Sequence, residues 1–323
     1  MKSFLVIQTA FIGDVILATS LIETICKANP DAKIDFVLRK GNEALLDSNP
    51  HINKVFIWNK TEKKYRNLVR VIKEIRQEKY DVVLNLQRFA STGFITLRAK
   101  SNKKIGFRKN PLSFFFTKKI EHEIGNGKHE IERNFELIRS LFPCQLVKPK
   151  LYPNQSDIKQ VEDLQIGTDY VVMAPSSVWF TKQLPGHKWV ELISQFSNDK
   201  TICLIGAKSD SNFLESIKSQ TSDKRVINLA GRLNLLASAH LIQGAKMTYA
   251  NDSAPMHLAS AMNAPITVFF CSTVPEFGFG PLSDESTILE ITEKLSCRPC
   301  GLHGYQACPE GHFDCGNKIV PIP

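Results

Sequence analysis

The chain has 323 residues, 43% of them hydrophobic and 23% charged, which is enough for two domains with separate cores. This composition excludes a disordered chain, a collagen-like fibre and a small disulfide scaffold, and no apolar run approaches the roughly 20 residues that span a bilayer. Residues 1–150 contain 28 Lys and Arg against 15 Asp and Glu, a net charge of +13, whereas residues 151–323 contain 13 against 17, a net charge of −4. We therefore expect the first half to meet an anionic partner.

The first half alternates short β-rich runs with longer amphipathic stretches, which is typical of a parallel sheet covered by helices. Asp14 interrupts the apolar start and no clear cleavage site follows, so we interpret this segment as strand, turn and helix of a cytoplasmic protein rather than a signal peptide. The predicted strands are Ser3–Gln8, Lys33–Leu38, Lys54–Trp58 and Asp81–Asn85. The predicted helices are Val15–Ala28, Glu62–Glu78 and Glu130–Phe142.

The second half repeats this alternation after a polar stretch punctuated by Pro143, Pro149 and Pro153, which we interpret as a linker between domains 1–150 and 151–323. The strands predicted here are Tyr170–Ala174, Thr201–Ile205, Val226–Leu229, Met247–Ala250 and Ile266–Phe270. Helices are expected to begin near His187, Ser209, Asn234 and Ser253. The predicted architecture is two α/β domains that face each other across a cleft.

Loops that follow parallel strands are the places to look for a site, because helix N-termini there point backbone N–H groups at anions. In the first such loop Gly13 permits a tight turn, and Asp14 is either a site residue or a cap of the next helix. The loop from Ala174 to Trp189 offers the hydroxyls of Ser176 and Ser177 and the cation of Lys182. This loop suits a diphosphate, or it is an ordinary solvated loop.

Two further loops carry polar residues. Asp210 follows the predicted strand Thr201–Ile205 and either accepts hydrogen bonds from a ribose or caps a helix. In the segment from Tyr249 to Pro265, Asp252 or Ser253 can cap a helix, and His257 lies about one turn in. A lone histidine is more often a satisfied structural residue than a phosphate ligand, yet this loop concentrates more polar caps than the others.

Several segments carry a family resemblance. NLAGRLNLLASAHLIQGAKMTYANDSAPMHLASAMNAPITVFF resembles the signature of family 9 glycosyltransferases, the lipopolysaccharide heptosyltransferases, and the first loop, VVLNLQRFASTGFITLRAKSNKKIGF and IERNFELI are similar to other parts of that family. The resemblance implies a GT-B fold of two Rossmann-like domains, the first for the acceptor and the second for an ADP-sugar donor. It also implies inverting transfer of a heptose, with no cofactor or metal required.

The same resemblance implies roles for individual residues. Asp14 matches the general base, and Lys182 matches the lysine on the leaving diphosphate. Arg88 and Ala254 stand where the family usually has glycine. The residues implied to bind the donor are Thr9, Gly13, Ser176, Ser177, Asp210, Asp252, Ser253, Ala254 and His257.

The acceptor implied by the family is an anionic glycolipid, and the positive charge of the first half would attract and hold it. Each basic side chain is alternatively a solvated surface residue. We expect a monomer in peripheral contact with the inner face of the cytoplasmic membrane, and no nucleic-acid partner, because no recognition helix or aromatic platform is present. The acceptor candidates are Lys63, Lys64, Arg66, Arg88 and Arg108.

Four cysteines cluster near the end, and their number suits a structural metal, although their spacing is not that of a regular zinc ribbon and metal is not the favoured interpretation. Two rival functions are a sugar-nucleotide 2-epimerase of the same fold and a non-catalytic module that binds a nucleotide or nucleic acid. The clustered cysteines are Cys297, Cys300, Cys308 and Cys315.

Overall fold

The structure is a computed structural model, and it describes residues 2–197, 199–221 and 225–323. The chain divides between Tyr152 and Pro153 into two compact units. Each unit contains one six-stranded sheet whose strand pairs are all parallel. The predicted α/β class with parallel sheets is therefore confirmed.

The first unit has strand order β3-β2-β1-β4-β5-β6. Its central strand, SFLVI, has four fully buried apolar residues after the serine, because both of its faces are covered. The strands are β1 (Ser3–Ile7), β2 (Lys33–Arg39), β3 (Ile52–Trp58), β4 (Lys79–Asn85), β5 (Lys100–Phe107) and β6 (Lys118–Ile120). The helices are α1 (Ile12–Ala28), α2 (Lys64–Ile75), α3 (Ala90–Arg98) and α4 (Glu130–Phe135).

The second unit has strand order β12-β11-β10-β7-β8-β9, which repeats the pattern of the first. Trp189 lies in its core, with its ring edge-on to Phe269 and its Nε1 donating to the carbonyl of Leu184 at 3.1 Å. The strands are β7 (Tyr170–Ala174), β8 (Thr201–Leu204), β9 (Val226–Asn228), β10 (Thr248–Asn251), β11 (Ile266–Phe270) and β12 (Ser286–Glu290). The helices are α5 (Gln155–Glu162), α6 (Gly186–Ser194), α7 (Ser211–Thr221), α8 (Leu235–Gly244), α9 (Ala254–Met262) and α10 (Asp314–Asn317).

Both sheets have a point where the strand order reverses direction. In the first it lies between β1 and β4, and in the second between β7 and β10. The loops that leave two such neighbouring strands turn to opposite sides of the sheet and open a crevice at its carboxyl edge. Ligands of Rossmann-type sheets bind in that crevice, so these two loop pairs are where a site is expected.

Three expectations about elements need correction. Helix α1 begins at Ile12 rather than Val15, so Gly13 lies in its first turn and does not form the tight turn that we predicted. The helix predicted over Glu130–Phe142 ends at Phe135, and the chain then continues in tighter turns such as Ile138 N–H to Phe135 O at 3.0 Å. These turns still bury Ile138, so this apolar position lies in the core as predicted although the regular helix has already ended.

Other elements were not predicted. Strand β5 begins with lysines and lacks an apolar run until Ile105, so its pattern is that of a loop. Helices α3, α5 and α10 and strands β6 and β12 were also missed. Within the described residues, no helix is both long and apolar enough to cross a membrane.

Candidate active site

Asp14 is the third residue of α1, directly after the carboxyl end of β1. Its Oδ2 accepts a hydrogen bond from the backbone N–H of Phe11 at 3.2 Å, so it does cap the helix. Burial raises the pKa of Asp14 to about 6, and the negative charge of Glu130 adds to this, while backbone N–H groups and Arg88 act in the opposite direction. The carboxylate is therefore a helix cap that also takes up a proton near neutral pH, as a general base must.

A buried charge cluster lies behind Asp14. The carboxylate of Glu130 is 3.0 Å from Nε2 of His122 and 2.7 Å from Nε of Arg133. Burial disfavours its ionised form, but the hydrogen bonds and charges of these two partners outweigh burial and hold the pKa of Glu130 below its usual value. A fixed negative charge is thus built into the fold beside Asp14. Sequence reasoning missed it, although the Glu130-x-x-Arg133 spacing on one helix was a usable signal.

Thr9 lies in the same loop and is fully buried. Within the described residues, its Oγ1 has no hydrogen-bond partner. Its carbonyl accepts a hydrogen bond from Nζ of Lys60 at 2.6 Å. Burial, and secondarily the charges of Arg39 and Lys64, lower the pKa of Lys60 to about 8. Thr9 therefore offers a buried hydroxyl, and an unpredicted cation, Lys60, stands beside it.

In the second unit, Lys182 and Asp252 form an ion pair. Nζ of Lys182 is 2.6 Å from Oδ2 of Asp252, and the two side chains are only 14% and 10% exposed. The hydroxyl of Thr273 donates to the same Oδ2 at 2.6 Å. Lys182 comes from the loop after β7 and Asp252 from the loop after β10, so the pair joins the two sides of the crevice.

The N-terminus of α9 adjoins this pair. Ser253 is its N-cap residue, but the Ser253 side chain makes no capping hydrogen bond to the helix and donates instead to the carbonyl of Asn251 at 3.3 Å. Ala254 is the first helical residue and Pro255 follows it, while His257 is buried on the same helix. Backbone N–H groups at the start of a helix that are not bonded by the N-cap side chain can bind an anion.

The remaining donor candidates differ in their surroundings. Within the described residues, the buried Oγ of Ser176 has no hydrogen-bond partner. The hydroxyl of Ser177 accepts from the N–H of Trp179 at 3.4 Å. Oδ2 of Asp210 accepts from the N–H of Ala207 at 2.8 Å, so it makes the capping contact that was the alternative to ribose binding. It follows β8, away from the β7–β10 crevice.

Two residues that sequence reasoning missed hold these loops in place. Asn251 bridges them, with Oδ1 accepting from the N–H of Leu184 at 2.9 Å and Nδ2 donating to the carbonyl of Pro175 at 2.7 Å. Arg298 donates to the carbonyls of Cys271 and Thr273, both at 2.7 Å, and to the carboxylate of Glu290. The YAND segment at a strand end was a signal for Asn251; nothing in the sequence marks Arg298.

The four clustered cysteines line one cavity of about 210 Å³. Across the described ranges, no group of three or more His, Cys, Asp or Glu side chains is placed to hold a metal ion. The segment that carries these cysteines supports the loops after β7 and β11: the N–H of Tyr305 donates to Oγ1 of Thr181 at 2.8 Å, and the N–H of Cys300 to the carbonyl of Ser272 at 2.8 Å.

The acceptor candidates all lie at the carboxyl edge of the first sheet. Lys63, Lys64 and Arg66 are exposed at the start of α2. Arg88 is exposed after β4, where its charge lowers the pKa of Asp14 in opposition to burial. Arg108, after β5, is already paired with Glu121 on the surface.

A family model and curated relatives identify the family of this chain. Residues 68–304 match the model of glycosyltransferase family 9 (heptosyltransferase). The chain is 29% identical to lipopolysaccharide heptosyltransferase 3 of Escherichia coli over 277 residues, covering 81% of this chain and 82% of that protein.

Two solved structures, both 20% identical, show the same GT-B fold. E. coli ADP-heptose LPS heptosyltransferase II superposes with a TM-score of 0.79 over 99% of this chain and 98% of its own. E. coli heptosyltransferase WaaC with ADP superposes with a TM-score of 0.74 over 88% of this chain and 93% of its own. The chain therefore belongs to glycosyltransferase family 9 and is a glycosyltransferase of GT-B fold.

Proposed function

We propose that this enzyme transfers a heptose from an ADP-heptose donor to the core of a lipopolysaccharide acceptor, with inversion at the anomeric carbon. The observation that carries this proposal is the pair of complementary crevice sites. The first sheet offers one carboxylate, Asp14, whose pKa is about 6. The second offers a cation, Lys182, beside the start of α9. The names of the relatives and the ADP of one solved structure support the choice of donor and acceptor.

The donor diphosphate would lie at the start of α9. The backbone there, the Ser253 hydroxyl and His257 would bind phosphate oxygens, with Lys182 neutralising their charge. Ala254 in place of glycine adds only a methyl group at this approach. The unsatisfied hydroxyl of Ser176 gains a partner when the donor binds, and Ser177 lies beside it. Asp252 would hold Lys182 in position rather than touch an anion itself.

The transfer would be a single displacement. The acceptor hydroxyl oxygen forms a bond to the anomeric carbon while the bond from that carbon to the diphosphate oxygen breaks. Asp14 takes the hydroxyl proton, and the departing ADP carries the electron pair as negative charge that Lys182 and the α9 N-terminus stabilise. One base is sufficient, because a double displacement would need a second carboxylate as nucleophile. Thr9 and Gly13 would border the reacting sugar.

The acceptor would be an anionic glycolipid held at the inner face of the cytoplasmic membrane, with the enzyme as a peripheral, monomeric partner. Exposed Lys63, Lys64 and Arg66, together with Arg88, would meet its phosphates and carboxylates. Arg108 is the weakest of these candidates because Glu121 already occupies it. No metal takes part in this scheme, so turnover is expected to survive treatment with a chelator.

A transfer assay tests the proposal. Purified enzyme, ADP-heptose and a deacylated, water-soluble core acceptor should give ADP and one new glycoside, whose one-bond C1–H1 coupling reports the anomeric configuration. Retention of configuration would contradict the single displacement. Interconversion of the nucleotide sugar without any acceptor would favour the 2-epimerase, and ADP binding with neither reaction would favour a binding module.

A further inference from the structure

Four phenylalanines are exposed in the part of the first unit that runs from the loop after β4, through α3, to the loop after β5. The most exposed is Phe114, at 78%, followed by Phe115 at 61%. Their rings contact each other edge-on at 5.3 Å. Isolated exposed apolar residues are ordinary, but clustered aromatic rings mark a binding surface. We call Phe89, Phe94, Phe114 and Phe115 the phenylalanine patch.

The two loops that carry this patch are tied together by Asn110. Its Nδ2 donates to the carbonyls of Gln87 and Phe89, both at 2.9 Å, and its Oδ1 accepts from the N–H of Leu112 at 2.9 Å. Gly93 packs so closely on this loop that a Cβ there would come within 2.4 Å of Oδ1 of Asn110. The loop after β4, the start of α3 and the loop after β5 therefore form one supported surface.

The sequence that carries the patch is strongly basic. From Arg88 to Ile120 the sequence contains nine Lys and Arg and no Asp or Glu. Lys119 lies over the ring of Phe114 at 5.7 Å, and Arg88 lies over that of Phe89 at 5.6 Å. Arg108 is paired with Glu121, and Lys104 donates to a backbone carbonyl, but the other basic residues leave a strong positive excess.

We propose that the phenylalanine patch docks this unit on an anionic lipid bilayer, with the Phe114 and Phe115 rings entering the interface and Lys109 and Lys119 meeting lipid phosphates. Exposed aromatic rings surrounded by cations are the combination that binds such surfaces, since ring burial and attraction to anionic headgroups add. A soluble anion would account for the cations but not for two exposed rings. This inference rests on the proposed function for its membrane-held acceptor, and it names the surface that reaches the membrane.

One end of the phenylalanine patch lies near the proposed base, Asp14. Phe89 directly follows Arg88, whose charge acts on Asp14, so one end of the patch adjoins the proposed base. The other end, at Phe114, lies beyond β5 in the sheet order. A bilayer bound at the far end would leave Asp14 accessible to an acceptor headgroup that projects from the same membrane.

Vesicle sedimentation tests this without donor or acceptor. The full chain is mixed with vesicles of phosphatidylethanolamine containing 30% phosphatidylglycerol, or with phosphatidylcholine vesicles alone. The test variants are F114S/F115S and K109Q/K119Q. The matched control is V320S/I322S, which removes two exposed apolar side chains from the second unit and leaves the net charge unchanged.

We expect F114S/F115S to weaken binding to anionic vesicles by about tenfold or more, because two rings no longer enter the interface. K109Q/K119Q should weaken it similarly at low salt and less at high salt. F114S/F115S should transfer heptose to the deacylated acceptor as fast as the unmodified enzyme does. If the unmodified enzyme shows no such transfer, the proposed function is refuted, whereas the docking result stands. Unchanged vesicle binding, an equal loss in V320S/I322S, or equal binding to phosphatidylcholine would overturn the docking proposal.

Discussion

The pH dependence of turnover is expected to follow the ionisation of Asp14. A base must be ionised to accept a proton, and with a pKa of about 6 Asp14 is mostly ionised at pH 7 and mostly protonated at pH 5. Turnover should therefore fall about tenfold between these values. D14N keeps the shape of the side chain but cannot accept the proton, so it should lose on the order of 10²–10⁴ in turnover and lose this acid limb.

Two neighbours shift the acid limb in opposite directions. The charge of Glu130 raises the pKa of Asp14 and that of Arg88 lowers it. E130Q should therefore move the limb to lower pH, and R88Q should move it to higher pH. The assay is the rate of ADP release against pH at saturating donor and acceptor. R88Q is the safer variant, because Arg88 is exposed whereas Glu130 pairs with buried Arg133.

Stability provides a second measurement. The pKa of Asp14 rises from the ordinary 3.8 to about 6 on folding, so the folded state favours the protonated form. The resulting stabilisation is present at pH 4 and lost as the pH rises through 6. It amounts to about 3 kcal/mol, and D14N, which cannot ionise, should not lose it. An acid limb that persists in D14N, or a stability difference that does not change with pH, would refute this account of Asp14.

Three further variants, with G311A as a control, test the proposed donor site. K182A should weaken ADP binding and turnover together, and unchanged ADP affinity by calorimetry would contradict its role. R298M removes hydrogen bonds to two carbonyls and a carboxylate, so the free energy of unfolding should fall by about 2–4 kcal/mol. ADP affinity should also fall, because Thr273, one of the residues that Arg298 holds, would no longer keep its hydrogen bond to Asp252. G304A and G311A both place alanine at positive φ, costing about 1–2 kcal/mol each, but only G304A would overlap Thr181 and crowd Lys182. Only G304A should therefore lower turnover, and equal turnover in both variants would argue against bracing by this segment.

The alternation of strands and helices could be predicted because buried parallel strands are apolar runs and helix starts carry caps. Tyr170–Ala174 and Ile266–Phe270 are strands over the predicted residues. Strand β5 could not be predicted, since Lys100 and Lys103 are exposed, Lys104 is half-buried, and the only buried residues of the strand are Ile105, Gly106 and Phe107.

Some residues of the candidate site could be predicted from the sequence and others could not. Loop position pointed to Asp14, Lys182 and Asp252, because parallel strands bring the ends of their loops to one edge. Loop position did not show what raises the pKa of Asp14, which is burial first and then the negative charge of Glu130. Glu130 is more than a hundred residues along the chain, and no local pattern connects the two. Arg298 is equally invisible, since its acceptors are mainly backbone carbonyls that carry no side-chain signal.

Each sheet is built from six consecutive strands, and this has a consequence for biosynthesis. The first sheet is complete once β6 has left the ribosome, so the first unit can fold while everything after Tyr152 is still being made. At roughly 5–20 residues per second, the remaining 171 residues give it on the order of ten to thirty seconds alone. During that interval its exposed phenylalanines and cations are already displayed, so the docking that we propose would allow a nascent chain to reach a membrane before its second unit exists.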